Sequence, residues 1–272
     1  MDVNKLFPQL LGGMQMRVKQ VLLCAVGAIL LFAAPLSFAQ EMKDQLFVIH
    51  EEVAKVDMIG QYEKTSTEWV QIMHDAGLDI SEIQASQRDD FHYYYLIPIS
   101  KYADIDGIFP KFQEAIKKID KDKWSKFSNE NDQTIETNKE FVARRSNDLS
   151  YEPKESRLKQ GEAKFVHWIF FNYKLEKRKE VMEVLKEWKK LYEDKNISHG
   201  YNIWLMDMGM DNNMIALTEA AKDGTDFYQT MESIDKKVQQ EEQKLWAKLS
   251  PLLVKMEQKY GRLRPDLSYF KK

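Results

Sequence analysis

One tetrapeptide occurs twice in the sequence, and this repetition constrains the fold more than any other feature. Asp-Leu-Ser-Tyr stands at 148–151 and again at 266–269, with an arginine four residues before each copy, Arg144 and Arg262. Further matches at the same offset of 118 positions are Phe47-Val48 with Phe165-Val166, and Ile116 with Ile234. Matches at one constant offset indicate a duplicated unit. The chain is therefore predicted to fold as two similar halves, although the repetition defines no chemistry.

The first 39 residues have the three parts of a secretory signal peptide. Arg17 and Lys19 form a basic region, an apolar run spans 21–36, and small residues lead to Ala39. This order predicts cleavage after Ala39. The alternative is an uncleaved membrane anchor, but the run is shorter than the roughly 20 residues that a span needs. We expect an exported protein that is periplasmic, with secretion as the alternative and no membrane span after cleavage.

Composition narrows the class of protein further. Cys24 is the only cysteine, and it leaves with the predicted leader, so the mature chain has no thiol, disulfide or thiolate metal site. The formal net charge is −3 at pH 7. Without a basic excess, a nucleic-acid partner is not expected.

Hydrophobic periodicity predicts the order strand, helix, strand, strand, helix in each half. In the first half, Gly77 is expected to end the first helix in a left-handed conformation, and in the second half Asn196 takes this place. The helix stripes contain Trp69 and Trp188 at matching positions. Predicted first-half elements are strands 46–53, 80–87 and 91–99, a helix after Asp57, and a long helix from Asp104 to about 144. Predicted second-half elements are strands 165–173, 201–208 and 214–218, the helix around Trp188, and a helix over 226–248 that restarts at Ser250-Pro251. The domains are accordingly a leader at 1–39, a first repeat at 40–153, a linker at 154–162 and a second repeat at 163–272.

This α+β element order resembles a ferredoxin-like unit. Two such units in one chain resemble the dimeric α/β-barrel superfamily, in which two antiparallel sheets pack face to face with long helices outside. The resemblance covers most of residues 45–272 and rests on element order and duplication, without a signature motif. It implies a pseudo-dimeric barrel that needs no second chain. Because the superfamily includes haem enzymes, cofactor-free monooxygenases, isomerases and proteins without known activity, it leaves the cofactor open, with haem as one option, and does not define a function.

Histidines on the predicted strands mark a candidate site. His50 and His92 lie on neighbouring strands of such a sheet, and strand alternation places them on the same faces as Glu52 and Tyr94. At the offset of 118 the counterparts of His50 and Glu52 are aromatic, Trp168 and Phe170. If these faces point into the barrel, they form a pocket with one polar and one aromatic wall. The predicted ligand-binding residues are His50, Glu52, His92, Tyr94 and Trp168. Such a cluster can bind a polar group, hold a metal or transfer protons; the alternative is that these are surface or structural residues. His167 has the opposite parity to Trp168 and is expected in the helix-packed layer or at an edge.

Motifs of the common catalytic classes are missing from the sequence. It contains no HExxH zinc motif, no GxSxG nucleophile elbow and no phosphate-binding loop. No metal ligands are therefore assigned. The aromatic residues of the predicted strands suit a flat or apolar ligand, and ordinary core packing accounts for them equally.

The repeated tails are predicted to be structural. Arg144 with Asp148, and Arg262 with Asp266, can pair and clamp each tail to its own half or to the other.

Three functions remain open from the sequence. The first is an exported protein that binds a small apolar or aromatic ligand, or an envelope partner. The second is an oxygenase or isomerase that uses His50 or His92, and the third is a non-catalytic structural or interaction module. The lack of a catalytic motif favours the first, so catalysis is not assigned.

Overall fold

Eight antiparallel strands close into a barrel, and five α-helices pack outside it in the computed structural model, which describes residues 44–159 and 161–272. The strands are β1 (Gln45–Ala54), β2 (Glu82–Arg88), β3 (His92–Ile99), β4 (Ile135–Tyr151), β5 (Phe165–Tyr173), β6 (Tyr201–Met208), β7 (Met214–Ala221), β8 (Leu253–Leu263) and a short β9 (Tyr269–Phe270). The helices are α1 (Ile59–Ala76), α2 (Ile105–Ile116), α3 (Lys121–Asp132), α4 (Arg178–Asp194) and α5 (Gly224–Leu249). The predicted leader and Cys24 lie outside the described residues. Within the described ranges, no helix combines the length and apolarity of a membrane span.

The barrel is built from two sheets with the same internal order. The first half contributes β2-β3-β1-β4 and the second contributes β6-β7-β5-β8. Ladders between β4 and β6 and between β8 and β2 join the two sheets. Closure removes the exposed sheet edges on which other chains pair. The short β9 pairs with the first two residues of β2.

The fourth strand of each half corrects the sequence prediction. The long first-half helix was expected to continue to about 144, but α3 ends at Asp132 and β4 begins at Ile135. Likewise, Ser250-Pro251 opens a single 3₁₀ turn that leads into β8 rather than a further helix. Both strands contain an exposed stretch rich in charged residues near their start, at 136–140 and 255–257, so their sequences look like solvated helix. Pairing with β1 and β5 decides the backbone conformation instead.

The two predicted helix ends are confirmed. Gly77 has φ 65° and its N–H bonds the carbonyls of the last helical turn. Asn196 has φ 48° just after α4. Glycine and asparagine tolerate this left-handed conformation better than other residues.

Alternation along the strands separates the barrel interior from the helix layer. On β1, Phe47 and Ile49 belong to the interior cluster, whereas Val48 packs on the buried face of α1. On β5, Phe170 packs into the interior cluster, whereas Phe171 contacts the core beneath α4 and α5. The barrel interior and the two helix layers are therefore distinct cores.

The register of β1 and β5 shows where the repeat offset changes. A β-bulge interrupts the β1–β4 ladder between Val53 and Ala54, and the equivalent bulge lies between Asn172 and Tyr173. These positions are 119 residues apart, so the Phe47-Val48 match at 118 is out of register by one. A one-residue shift moves every side chain of a strand to the opposite face.

The repeated tails exchange between the halves. Ser150 Oγ accepts a hydrogen bond from the Ile203 N–H of β6, and Ser268 Oγ accepts one from the Ala85 N–H of β2, both at 2.9 Å. The tyrosines repeat this pattern. The Tyr151 hydroxyl donates to the Ile197 carbonyl, and the Tyr269 hydroxyl donates to the Leu78 carbonyl, both at 2.7 Å. Each tail therefore docks on the other half through its serine and tyrosine.

The predicted arginine–aspartate clamp is wrong in its partners. Arg144 pairs with Asp44 at 3.6 Å and Asp207 at 3.4 Å, while Asp148 is exposed. Asp266 is bound by Arg264 at 2.7 Å rather than by Arg262. Arg262 instead donates to Gln87 Oε1 at 2.9 Å and pairs with Glu63. Arg144 and Asp148 lie four residues apart on the extended strand β4, roughly 13 Å along it, which is too far for a direct pair. Asp266 lies in the turn after β8, next to Arg264.

Candidate functional site

A cavity of about 600 Å³ occupies the barrel interior. Its deep wall is almost entirely apolar and aromatic. The deep-wall residues are Ile49, Tyr94, Leu96, Phe141, Trp168, Phe170, Trp204, Met206 and Ala216. The Trp204 indole N–H donates to Thr218 Oγ1 at 3.0 Å, so this polar atom of the wall is already satisfied.

The cavity opens at the end of the barrel where β1 and β5 begin. Its mouth is lined by the linker after β4 and by the loop before β6. The mouth residues include Glu152, Pro153, Ser156, Arg157, Leu158, Ser198, His199 and Gly200. The linker that connects the halves thus forms part of the entrance.

Charged side chains close the opposite end. Glu51, 3% exposed, is bound by His92 Nδ1 at 2.5 Å and by Lys139 Nζ at 2.8 Å. Burial alone would raise the pKa of Glu51, but these two hydrogen bonds lower it below its ordinary value. Beside it, Arg88 donates to the Tyr94 hydroxyl at 2.7 Å and pairs with Asp90. Paired charges at this end separate the apolar cavity from solvent.

Two of the five predicted ligand-binding residues line the cavity. Tyr94 and Trp168 face each other with ring centroids 6.4 Å apart. His92 points to the closed end, where Glu51 binds it. The predicted convergence of all five residues is therefore not formed.

The faces of His50 and Glu52 were predicted wrongly. Both lie in the helix layer, where His50 Nε2 is 2.9 Å from Glu52 Oε1 and the Tyr62 hydroxyl donates to Glu52 Oε2 at 2.5 Å. The Tyr95 hydroxyl is 2.8 Å from that of Tyr62 and completes the network. Burial lowers the pKa of His50, but Glu52 and Glu140 outweigh it and raise the pKa above its ordinary value. The error follows from aligning the two halves at an offset of 118. At the offset of 119, the first-half residue equivalent to Trp168 is Ile49, not His50.

A second polar cluster, which the sequence did not indicate as a unit, lies at the mouth. Glu219 is buried between His167 Nδ1 at 3.0 Å and His199 Nε2 at 3.6 Å. Arg157 donates to His199 Nδ1 at 3.0 Å and forms two bonds of 2.8 Å with Asp226. Burial would raise the pKa of Glu219, but the hydrogen bond from His167 and the nearby His199 lower it to about 2. The signal available in the sequence was a lone carboxylate within the apolar strand β7.

The positions of these histidines bear on their chemistry. His167 packs between Phe227 and Tyr260, which confirms its predicted place in the helix layer. Its two nitrogens meet Glu219 and Gln258 Oε1, the latter at 3.2 Å. Among the described residues, His199 is the one histidine on the cavity wall.

The wall does not fit a histidine-ligated haem. An axial ligand needs a nitrogen that is free to face the iron. His199 accepts from Arg157 with Nδ1, and its buried Nε2, which makes no hydrogen bond, lies 3.6 Å from the Glu219 carboxylate rather than facing the cavity centre as a free axial ligand. Within the described residues, no group of three or more His, Cys, Asp or Glu side chains is arranged to hold a metal ion.

Solved structures of other proteins share this fold. The chain is similar to a candidate monooxygenase from Lactobacillus acidophilus NCFM, at 9% identity and a TM-score of 0.51 over 84% of this chain and 97% of that chain. It is also similar to one from Fusobacterium nucleatum, at 14% identity and a TM-score of 0.50 over 82% and 93% of the two chains. An anthrone oxidase-like protein matches at 8% identity and a TM-score of 0.51 over 82% and 92%.

These similarities confirm the predicted dimeric α/β-barrel fold. At such low identity they define the fold alone. No protein-family model matches the sequence, and no curated protein matches it significantly.

Proposed function

We propose that this is an exported protein that holds a small apolar or aromatic molecule inside the barrel. The observation that carries the proposal is the cavity of about 600 Å³ with Tyr94, Trp168 and Phe170 in its wall. Ligand sites in proteins are concave and mostly apolar, commonly with volumes of roughly 300–1,000 Å³. A plain structural module does not require an aromatic cavity of this size that opens at one end of the barrel. Residues 1–39, with the composition of a leader, support export.

We further propose that the halves are tandem ferredoxin-like repeats. The matched strand orders, the equivalent β-bulges and the exchanged tails support this origin. A barrel made by one chain lets its two walls differ, and a single asymmetric ligand suits such a cavity.

Catalysis by a strand histidine finds less support. That function requires His50 or His92 against the ligand. His50 lies in the helix layer, and His92 is bound to Glu51 at the closed end. Binding is therefore the function that the geometry favours.

The binding proposal is tested with N-phenyl-1-naphthylamine, an uncharged probe that fluoresces in apolar surroundings. We expect saturable binding to the purified mature protein, weakened about tenfold in Trp168→Ala, which loses an aromatic wall. Trp246→Ala on the outside of α5, where the side chain is 41% exposed, is the matched control. Phe170→Leu provides a milder second variant. Unsaturable binding, or equal losses at Trp168 and Trp246, would contradict the proposal.

Export is tested separately by the intact mass of the protein recovered outside the cytoplasm. The expected mass is that of a chain that begins at Gln40. A mass that includes Cys24 would show that the leader is retained.

A further inference from the structure

Arg145 of β4 places a positive charge on the wall of the apolar cavity. It alternates with Phe141 and Ala143, which belong to the barrel interior, and it lines the same space as Trp168. Its Nη2 donates to Asn147 Oδ1 at 3.2 Å. Its Nε is buried and has no hydrogen-bond partner.

The Nε of Arg144 is likewise without a partner, so what distinguishes Arg145 from its neighbours is the absence of a counter-charge. Arg144, on the opposite face of β4, pairs with Asp44 and Asp207. Arg157, at the mouth, pairs with Asp226. Residues 44–159 and 161–272 contain five buried or partly buried arginines. Arg145 is the one among them whose guanidinium nitrogens have no carboxylate oxygen within 4.0 Å.

The other charges of the wall do not compensate it. The Glu219 carboxylate is engaged by His167 and His199. Glu152 and Glu193 also reach the wall, but both side chains are exposed to solvent. Lys189 adds a second cation nearby, since its Nζ donates to the carbonyl of Asn147, two residues from Arg145.

A cation that has partly left water without a counter-charge is costly unless an anion joins it. The guanidinium group presents donors in a planar fork that matches a carboxylate. We infer that the ligand carries a carboxylate on an aromatic body, and that Arg145 binds this anionic group while Tyr94 and Trp168 contact the rings. This inference rests on the proposed ligand-binding function.

The test compares two ligands of the same shape, 2-naphthoate and 2-naphthamide, by calorimetry on the mature protein. Wild type is expected to bind the anion at least about tenfold more tightly than the amide. In Arg145→Met the affinity for 2-naphthoate falls about 10- to 100-fold, while that for 2-naphthamide changes little. Arg145→Lys keeps part of the preference, and Arg144→Met, altered on the outer face of the same strand, keeps all of it.

Several outcomes would overturn the inference. Equal wild-type affinities for the two ligands would do so without any variant, and so would a preference that survives Arg145→Met. In both cases saturable binding of the amide leaves the proposed cavity function intact. Failure of both ligands and of N-phenyl-1-naphthylamine to bind would overturn the proposed function itself.

Discussion

The two halves pair their first and third strands alike, yet they bury polar side chains at opposite ends of those strands. In the first half the helix-facing pairs of β1 and β3 are Val48–Ile97, His50–Tyr95 and Glu52–Tyr93. The equivalent pairs of β5 and β7 are His167–Glu219, Ile169–Leu217 and Phe171–Ile215. Where one half is polar, the other is apolar.

This reversal shows that the barrel backbone does not depend on where the polar groups lie. The second-half network is buried and the first-half network is partly buried, and in both the carboxylate is bound by neighbouring side chains. A buried polar group is tolerated when it is partnered. Only the second-half network, through Glu219 and His199, reaches the cavity.

The largest expected effect is a difference in stability between variants of the two network carboxylates, Glu219 and Glu52. Glu219→Gln removes a buried anion that faces two histidines, and we expect the free energy of unfolding to fall by about 3–5 kcal/mol. Glu52→Gln, whose partners are a neutral hydroxyl and a half-exposed histidine, should cost about 1–2 kcal/mol. Urea unfolding monitored by tryptophan fluorescence measures both. Equal costs would break the comparison between the halves.

Acid should weaken the second half through Glu219. The pKa of Glu219 falls from an ordinary 4.5 to about 2 in the folded protein. Because its folded-state pKa is depressed, its stabilising contribution is complete above pH 4.5 and is lost as the pH falls toward 2. Relative to Glu219→Gln, wild type should lose on the order of 3 kcal/mol over this window. If the free energy of unfolding depends on pH in the same way in wild type and Glu219→Gln, the acid sensitivity does not come from Glu219.

The two exchanged tails should contribute equally to stability. Ser150→Ala and Ser268→Ala each leave a buried backbone N–H of the other half without an acceptor, those of Ile203 and Ala85. We expect each to lower the free energy of unfolding by about 1–3 kcal/mol. Thermal and urea unfolding of both variants provide the measurement. A marked difference between them would mean that the tails are not equivalent.

The smallest effects concern the aspartates of the tails. Asp266 pairs with Arg264, so Asp266→Ala should cost about 0.5–1 kcal/mol. Asp148 is exposed, and Asp148→Ala should change stability by less than about 0.5 kcal/mol. Thermal unfolding of the two variants distinguishes them, and a larger loss at Asp148 would restore the arginine clamp that the structure argues against.

Local signals in the sequence predicted much of the fold. The helix ends at Gly77 and Asn196 follow from backbone preferences of single residues, and the repeated tetrapeptide indicated two halves, which the structure shows to have the same strand order. The fourth strands were missed because 136–140 and 255–257 are exposed and rich in charged residues, and only pairing with a distant strand makes them extended.

The candidate site was predicted less well, since it depends on long-range geometry. Tyr94 and Trp168 were assigned to the cavity correctly. His50 was misplaced because one inserted residue between the halves reverses its face. Arg145 carries no local signal, because its lack of a counter-charge is a property of its neighbours in space.

The exchanged tails also have a consequence for how the protein unfolds. Leu149 is buried in the core of the second half, and Leu267 is buried in the first, beside Tyr62. Neither half can unfold without withdrawing a leucine side chain from the core of the other half. Unfolding of one half therefore removes part of the hydrophobic core of the other. The chain should therefore melt in one cooperative transition, with coincident loss of barrel and helix signals, rather than as two domains in succession.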